Sequence, residues 1–140
     1  MQASPAHPAA TDSRRPAPPP RVLVVDDQVE SRSALARLLQ AEGYEVVTAE
    51  TGLEALTAAA AAPVDALVSD IGLPDIDGCE LLRRLREMYS GDVPAVALTG
   101  YGEEHYVEEC RRAGYRQFLL KPILFRELLD AVRSVHRSAM

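Results

Sequence analysis

Apolar residues along this chain fall in short unbroken runs, and the stretches between the runs carry helical spacing. Val22-Leu23-Val24-Val25, Ala66-Leu67-Val68, Ala95-Val96-Ala97-Leu98 and Phe118-Leu119-Leu120 are such runs. They predict strands over about 22–26, 64–69, 94–98 and 116–120, and Tyr44-Glu45-Val46-Val47-Thr48 predicts one more. A first helix is expected over about 29–42, with Ala34, Leu35, Leu38 and Leu39 on one face and Gly43 where a helix-ending glycine would stand. A second, alanine-rich helix is expected over about 52–61, stopping before Pro63. Leu81, Leu82, Leu85 and Met88 make a core-facing stripe on a third helix, about 78–88. The fourth, about 103–113, has a thin apolar face of Val107, Cys110 and Ala113. The fifth, about 124–136, carries Leu128, Leu129, Val132 and Val135.

Strands and helices therefore alternate in a (βα)5 pattern. Strands that are apolar throughout are buried on both faces, which implies a parallel five-stranded sheet between two helix layers. Right-handed crossovers leave few topologies for such an α/β, doubly wound chain. Ligands in these folds sit beyond the carboxyl ends of the strands, at a topological switch point. Four strands of this chain end there on polar residues: Asp26-Asp27, Asp70, Thr99-Gly100 and Lys121-Pro122.

Composition changes the picture mainly at the N-terminus. Six of the ten prolines lie in the first twenty residues, so residues 1–20 are expected to be a disordered or partly polyproline II tail, serving as a linker or a proline-motif docking site. The remaining length suits one domain, over 21–137. The net charge is −6 and no basic patch is visible, so no direct nucleic-acid contact is expected. No apolar stretch is long enough to span a bilayer and the N-terminus lacks a signal-peptide core, which predicts a cytoplasmic protein with no membrane partner. Cys79 and Cys110 are far apart with no CxxC, and are expected as separate buried or half-buried thiols in a reducing compartment. His7, His105 and His136 show no metal-ligand spacing.

The strand endings carry chemistry when taken together. Asp26, Asp27 and Asp70 packed in one place would repel one another unless a cation intervened. A divalent cation with oxygen preference, Mg²⁺ or Mn²⁺, would offset the excess negative charge that remains after Lys121 is counted. Asp70, alone at the end of the central strand, could attack a phosphoryl group and form an acyl phosphate. Lys121 and the Thr99 hydroxyl could then take the phosphoryl oxygens, since phosphoryl transfer relies on positioning and charge neutralisation. Each residue alone admits a plainer reading: turn aspartates, a strand-end hydroxyl, a solvated lysine. Their joint occurrence, in this order and each at a strand end, favours a site.

These segments resemble the receiver domain of two-component response regulators. The resemblance runs from about Arg21 to Val135 and is carried by Val22-Leu23-Val24-Val25-Asp26-Asp27, by Ser69-Asp70-Ile71-Gly72-Leu73-Pro74-Asp75-Ile76-Asp77-Gly78, by Ala97-Leu98-Thr99-Gly100 and by Leu120-Lys121-Pro122. The wording around Asp70 and Thr99 is also similar to receivers of hybrid histidine kinases. The resemblance implies a flavodoxin-like fold with strand order 2-1-3-4-5. It implies that Asp70 is the phosphoacceptor, and that Asp27, Asp70 and the Gly72 carbonyl ligate Mg²⁺, with Asp26 acting through water. Thr99 and Lys121 would bind the phosphoryl group, Lys121-Pro122 would be a cis peptide, and Phe118 would be the switch aromatic that turns inward as Thr99 moves. Phe118 also has a plainer reading, a strand residue packed in the core. Tyr101 could limit water access to the acyl phosphate or cover the entrance to the fourth helix. Gly72 offers no side chain to orient an attacking water.

The implied function is a phosphorelay signalling receiver, not an enzyme acting on other substrates. It would be phosphorylated by a sensor histidine kinase or a histidine phosphotransfer protein. It would signal to a downstream protein through the face made by the fourth helix, fifth strand and fifth helix. The chain ends soon after that helix, so no output domain is expected within it, whether it stands alone or derives from a longer protein. A non-phosphorylated interaction module of the same fold is the alternative. A flavin-binding protein is disfavoured by the acidic loop Asp26-Asp27-Gln28-Val29-Glu30, and a phosphohydrolase by Gly72, where an acid–base carboxylate would be needed.

Overall fold

Every one of the five βα units forms, and their strands pair in parallel in the order β2-β1-β3-β4-β5 in a computed structural model that describes residues 18–139. The strands are β1 (Arg21–Val25), β2 (Glu45–Ala49), β3 (Ala66–Asp70), β4 (Ala95–Thr99) and β5 (Gln117–Leu120). The helices are α1 (Val29–Ala41), α2 (Gly52–Ala61), α3 (Gly78–Tyr89), α4 (Val107–Ala113) and α5 (Phe125–Ala139), with a 3₁₀ turn at Glu104–Tyr106 before α4. This is the doubly wound parallel sheet that the alternating pattern predicts, in the flavodoxin-like order that the resemblance implies. Residues 1–17 of the expected tail lie outside the described residues. The Pro20 carbonyl accepts the Glu45 N–H at 3.0 Å, which ties the chain to β2 just before β1 begins.

Side chains alternate across the sheet and fill two cores. Leu23, Val25, Leu67, Ala95 and Ala97 pack with Ala55 and Ala59 of α2, Leu81, Leu82 and Leu85 of α3, and Cys110 and Ala113 of α4. On the other face Val22, Val24, Val68, Val96 and Leu98 pack with Leu35 and Leu39 of α1 and with Leu128, Leu129, Val132 and Val135 of α5. The sheet thus fixes the height of each strand end: Val25 is level with Ser69, Asp70 with Leu98, and Thr99 with Leu120. Asp26, Asp70, Thr99 and Lys121 consequently emerge on one edge.

Three expectations need correction. Met88 falls on the predicted core stripe but is 42 % exposed. The last turn of α3 is anchored instead by Tyr89, whose hydroxyl donates to the Ala59 carbonyl at 2.9 Å and accepts the Val64 N–H at 3.1 Å. The fourth helix is shorter than its pattern, because Gly102 takes φ +87° and the Glu103 side chain folds back to accept the Gly100 N–H. Cys79 and Cys110 are not separate thiols: they form a disulfide, with Cα atoms 5.0 Å apart and both side chains buried. Packing of α3 against α4 creates that neighbourhood, and a sequence separation of 31 conceals it.

Between β3 and α3, the loop also caps a helix other than its own. Asp75 accepts the Gly52 and Leu53 N–H groups at 2.9 and 2.8 Å, at the N-terminus of α2. Slight burial works against its ionisation, but these backbone donors outweigh it and hold its carboxyl below the ordinary range. Asp75→Ala is expected to lower stability by about 1–2 kcal/mol in urea denaturation at pH 7, the usual scale of a lost helix cap. Because a depressed carboxyl stabilises only while ionised, the deficit should shrink as pH falls below the ordinary carboxylate range. An equal deficit at pH 7 and pH 3 would assign it to another cause.

Candidate functional site

At the carboxyl edge of the sheet, one oxygen from each of Asp26, Asp27 and Asp70 lies within 4.8 Å of the other two. Asp26 follows β1 and is fully buried, Asp70 ends β3 and is nearly so, and Asp27 is exposed. The Lys121 ammonium, beyond the end of β5, donates to Asp26 Oδ2 at 2.9 Å and to Asp70 Oδ2 at 3.2 Å. Its own backbone N–H donates to the Thr99 carbonyl at 2.7 Å, and the Lys121–Pro122 peptide is cis.

The buried Asp26 is held on all sides. Its Oδ1 accepts the Gln28 N–H at 2.9 Å and its Oδ2 accepts the Ser31 hydroxyl at 2.7 Å. Arg32 reaches back to the Asp26 carbonyl at 2.8 Å. Asp70 is less well compensated. Burial pushes its carboxyl up to about 6, the charges of Asp26 and Glu103 add to that, and Lys121 works against it. Lys121 is pulled down by burial, but its hydrogen bond to Asp26 and the charges of Asp70 and Asp26 prevail and raise it, so it stays an ammonium.

This donor set fits a hard divalent cation. Three carboxylates face one ammonium, all the donors are oxygen, and the Asp70 carboxylate is costly to ionise chiefly because it is buried, a cost that a bound cation would offset. Mg²⁺ needs only one or two carboxylates because it retains water.

Thr99 is buried at the end of β4, and its hydroxyl donates over 3.4 Å to the Leu119 carbonyl of the neighbouring strand. Phe118 is half-buried against the α2–α4 core, with the Arg111 guanidinium 5.0 Å above its ring and the Tyr115 ring 6.4 Å away. Tyr101 is 86 % exposed and lines a cleft of about 600 Å³ with Gln28, Ser31, Lys121 and Pro122. Gly72 lies under Glu103: a Cβ at position 72 would come within 2.6 Å of Glu103 Oε2, and Glu103 Oε1 accepts the Gly100 N–H at 2.7 Å.

Ser31 and Glu103 are the neighbours that the pattern of strand endings does not single out. Glu103 carries a faint signal, an acidic residue three positions after Gly100 at the entrance of a helix, which is capping-box spacing. Ser31 is the first-turn residue of α1 that faces back toward the strand end.

Three carboxylates and a lysine thus meet at the carboxyl edge of a doubly wound parallel sheet. Residues 22–133 match the response regulator receiver domain family, and the chain belongs to it. It is 38 % identical over 113 residues to an uncharacterized 14.6 kDa protein of Leptolyngbya boryana, covering 80 % of this chain and 86 % of that one. It is also 38 % identical to the C4-dicarboxylate transport transcriptional regulatory protein DctD of Pseudomonas aeruginosa, covering 81 % of this chain and 24 % of DctD. Against the transcriptional regulatory protein PrrA of Mycobacterium tuberculosis, 38 % identity extends over 84 % of this chain and 50 % of PrrA. The chain thus spans a quarter to a half of those two longer relatives. The chemotaxis protein CheY4 of Vibrio cholerae superposes with a TM-score of 0.78 at 32 % identity, covering 84 % of this chain and 98 % of CheY4. Among the described residues no helix is long and apolar enough to cross a membrane.

Proposed function

We propose that residues 21–137 form a cytoplasmic phosphorelay receiver that accepts a phosphoryl group on Asp70 from a phosphohistidine donor. The observation that carries this reading is the single ammonium of Lys121 shared by Asp26 and Asp70 beside a third carboxylate, Asp27. The donor is a sensor histidine kinase or a histidine phosphotransfer protein, and the recipient of the signal is another protein.

In the transfer, an oxygen of the Asp70 carboxylate attacks phosphorus, the P–N bond of the phosphohistidine breaks, and an acyl phosphate forms. Lys121 neutralises a phosphoryl oxygen and is already in contact with the nucleophile. Asp27 and Asp70, with the Gly72 carbonyl, would hold Mg²⁺ or Mn²⁺, and Asp26, whose oxygens are already occupied, would act through water. Such an ion supplies charge neutralisation, which lets the carboxylates ionise together beside an incoming anion.

Phosphorylation adds about −1.5 to −2 charge at this edge. The long Thr99–Leu119 bond is the weak link there. Turning the hydroxyl toward the new anion gives up little and opens space beside β5 into which Phe118 can settle. The surface of α4, β5 and α5 is then remodelled, and its partner contacts with it.

Incubation with acetyl phosphate and Mg²⁺ tests the proposal. Intact mass should rise by one phosphoryl group, peptide mapping should place it on Asp70, and Asp70→Asn should take up none. An unmodified wild-type chain, or modification elsewhere, would favour an interaction module that is not switched by phosphate.

A further inference from the structure

We propose that Cys79 and Cys110 form a reversible redox site whose disulfide clamps α4 onto α3 and sets how freely the switch surface answers Asp70. This rests on the receiver reading above. Of α4's own residues only Cys110 and Ala113 are buried. Among the described residues, the polar ties from α3 to α4 itself are the Arg86 guanidinium on the Ala113 carbonyl at 2.7 Å and an exposed Arg83–Glu109 pair at 3.4 Å. A seven-residue helix so thinly anchored is an element that opens easily. The disulfide is its one covalent anchor.

The other end of the cross-link lies beside the phosphorylation corner. Cys79 follows Gly78, whose N–H donates to the Ile71 carbonyl at 2.8 Å and whose carbonyl accepts the Tyr115 hydroxyl at 2.7 Å. The clamp therefore joins the corner that carries Asp70 to the helix expected to move when Asp70 is modified. In a cytoplasmic chain a disulfide is ordinarily transient and redox-sensing, so a buried one at the moving joint reads as regulation more readily than as a permanent staple.

The chemistry balances with a peroxide as oxidant. One thiol gives up its proton and attacks a peroxide oxygen as the thiolate, the O–O bond breaks, and the released hydroxide takes that proton, leaving a sulfenic acid and water. The second thiol attacks the sulfenic sulfur, expels a second water and closes the disulfide. A dithiol reverses it through two exchanges, leaving with its own disulfide. Both cysteines have no exposed surface, so either reagent reaches them only when α4 lifts from α3. Reciprocity follows: a clamp that disfavours the switched state is itself disfavoured by a phosphoryl mimic at Asp70, which should shift the thiol–disulfide equilibrium toward the reduced form.

The full chain tests this in two forms, oxidised with hydrogen peroxide and reduced with dithiothreitol, each titrated with beryllium fluoride and Mg²⁺ and followed by hydrogen exchange. Oxidation should yield a Cys79–Cys110 cross-linked peptide. The oxidised form should exchange more slowly over 107–113 and bind the mimic about 5-fold or more weakly, the lower end of common coupling. Cys110→Ala should behave as the reduced form under both conditions, and reduction of the wild-type chain gives the same comparison if that variant does not fold. Failure of the cross-link to form overturns the proposal, as do equal exchange and equal mimic affinity in the two forms. A cross-link that slows exchange while neither form binds the mimic would overturn the receiver reading and the gate with it, leaving a purely structural disulfide.

Discussion

Gly78→Ala should cost the fold about 3 kcal/mol, more than a hundredfold in the folded-to-unfolded ratio, measured as a drop in urea midpoint with unchanged slope. A Cβ at position 78 would stand 2.5 Å from the Asp70 carbonyl oxygen and 2.9 Å from the Ile71 Cα. Both are backbone atoms at the end of β3, which carries the proposed phosphoacceptor, or just beyond it, so no side chain can rotate away to make room. Relief requires α3 to withdraw from the end of β3. Withdrawal stretches the bond from the Gly78 N–H to the Ile71 carbonyl and the one from the Tyr115 hydroxyl to the Gly78 carbonyl. The latter is sealed in the core, where burial holds the Tyr115 phenol neutral and its hydroxyl a donor. Overpacking against backbone costs about 1–3 kcal/mol and a strained buried hydrogen bond about 1 more. Gly91→Ala is the matched control: a Cβ there meets nothing within 4 Å, and stability should stay within about 0.5 kcal/mol. A Gly78→Ala chain as stable as Gly91→Ala would mean that the corner is looser than its contacts indicate.

The sequence reading and the structure agree where a single period of the chain decides the outcome. Strands as continuously apolar as Ala95-Val96-Ala97-Leu98 can only be buried on both faces, and right-handed crossovers leave few topologies, among which the family resemblance picks the sheet order. The polar strand endings were legible for the same reason, since parallel strands share one carboxyl edge. What stayed hidden depends on contacts between elements. The Cys79–Cys110 bond arises from the packing of α3 on α4, which no local pattern encodes. The role of Asp75 as a cap for α2 crosses from one βα unit to another. Glu103 reaches the space above Gly72 only because the chain turns at Gly102. Met88 lost its predicted core position to the adjacent Tyr89, whose hydroxyl found two backbone partners near the start of β3.

Lys121→Met should slow phosphoryl uptake from acetyl phosphate at pH 7 by about 100-fold, the cost of removing one preorganised charge-stabilising donor. Two losses add. The incoming phosphoryl group loses an oxygen partner, and the nucleophile loses the ammonium that keeps it ionised. With Lys121 in place the Asp70 carboxyl lies at about 6; without that opposing charge it must rise further, because burial, Asp26 and Glu103 all push upward. The same imbalance predicts how stability varies with pH when divalent cations are chelated. A carboxyl raised in the folded state contributes stability that is complete below its unfolded value of 3.8 and is lost as pH climbs to about 6. Asp70→Asn removes that loss, so it should be more stable than the wild-type chain at pH 7 by about 1–2 kcal/mol after allowance for solvent screening, and no more stable near pH 4. Lys121→Met should move the other way at pH 7 and recover toward pH 4, where Asp70 is protonated and the missing ammonium matters less. Saturating Mg²⁺ should narrow the gap between wild type and Asp70→Asn, since the ion then answers the same excess charge. Thermal melts of the three chains with chelator and with Mg²⁺ measure all of this. If Asp70→Asn gave no advantage at pH 7, or Lys121→Met took up phosphoryl groups as fast as wild type, the charge balance proposed for this edge would be wrong.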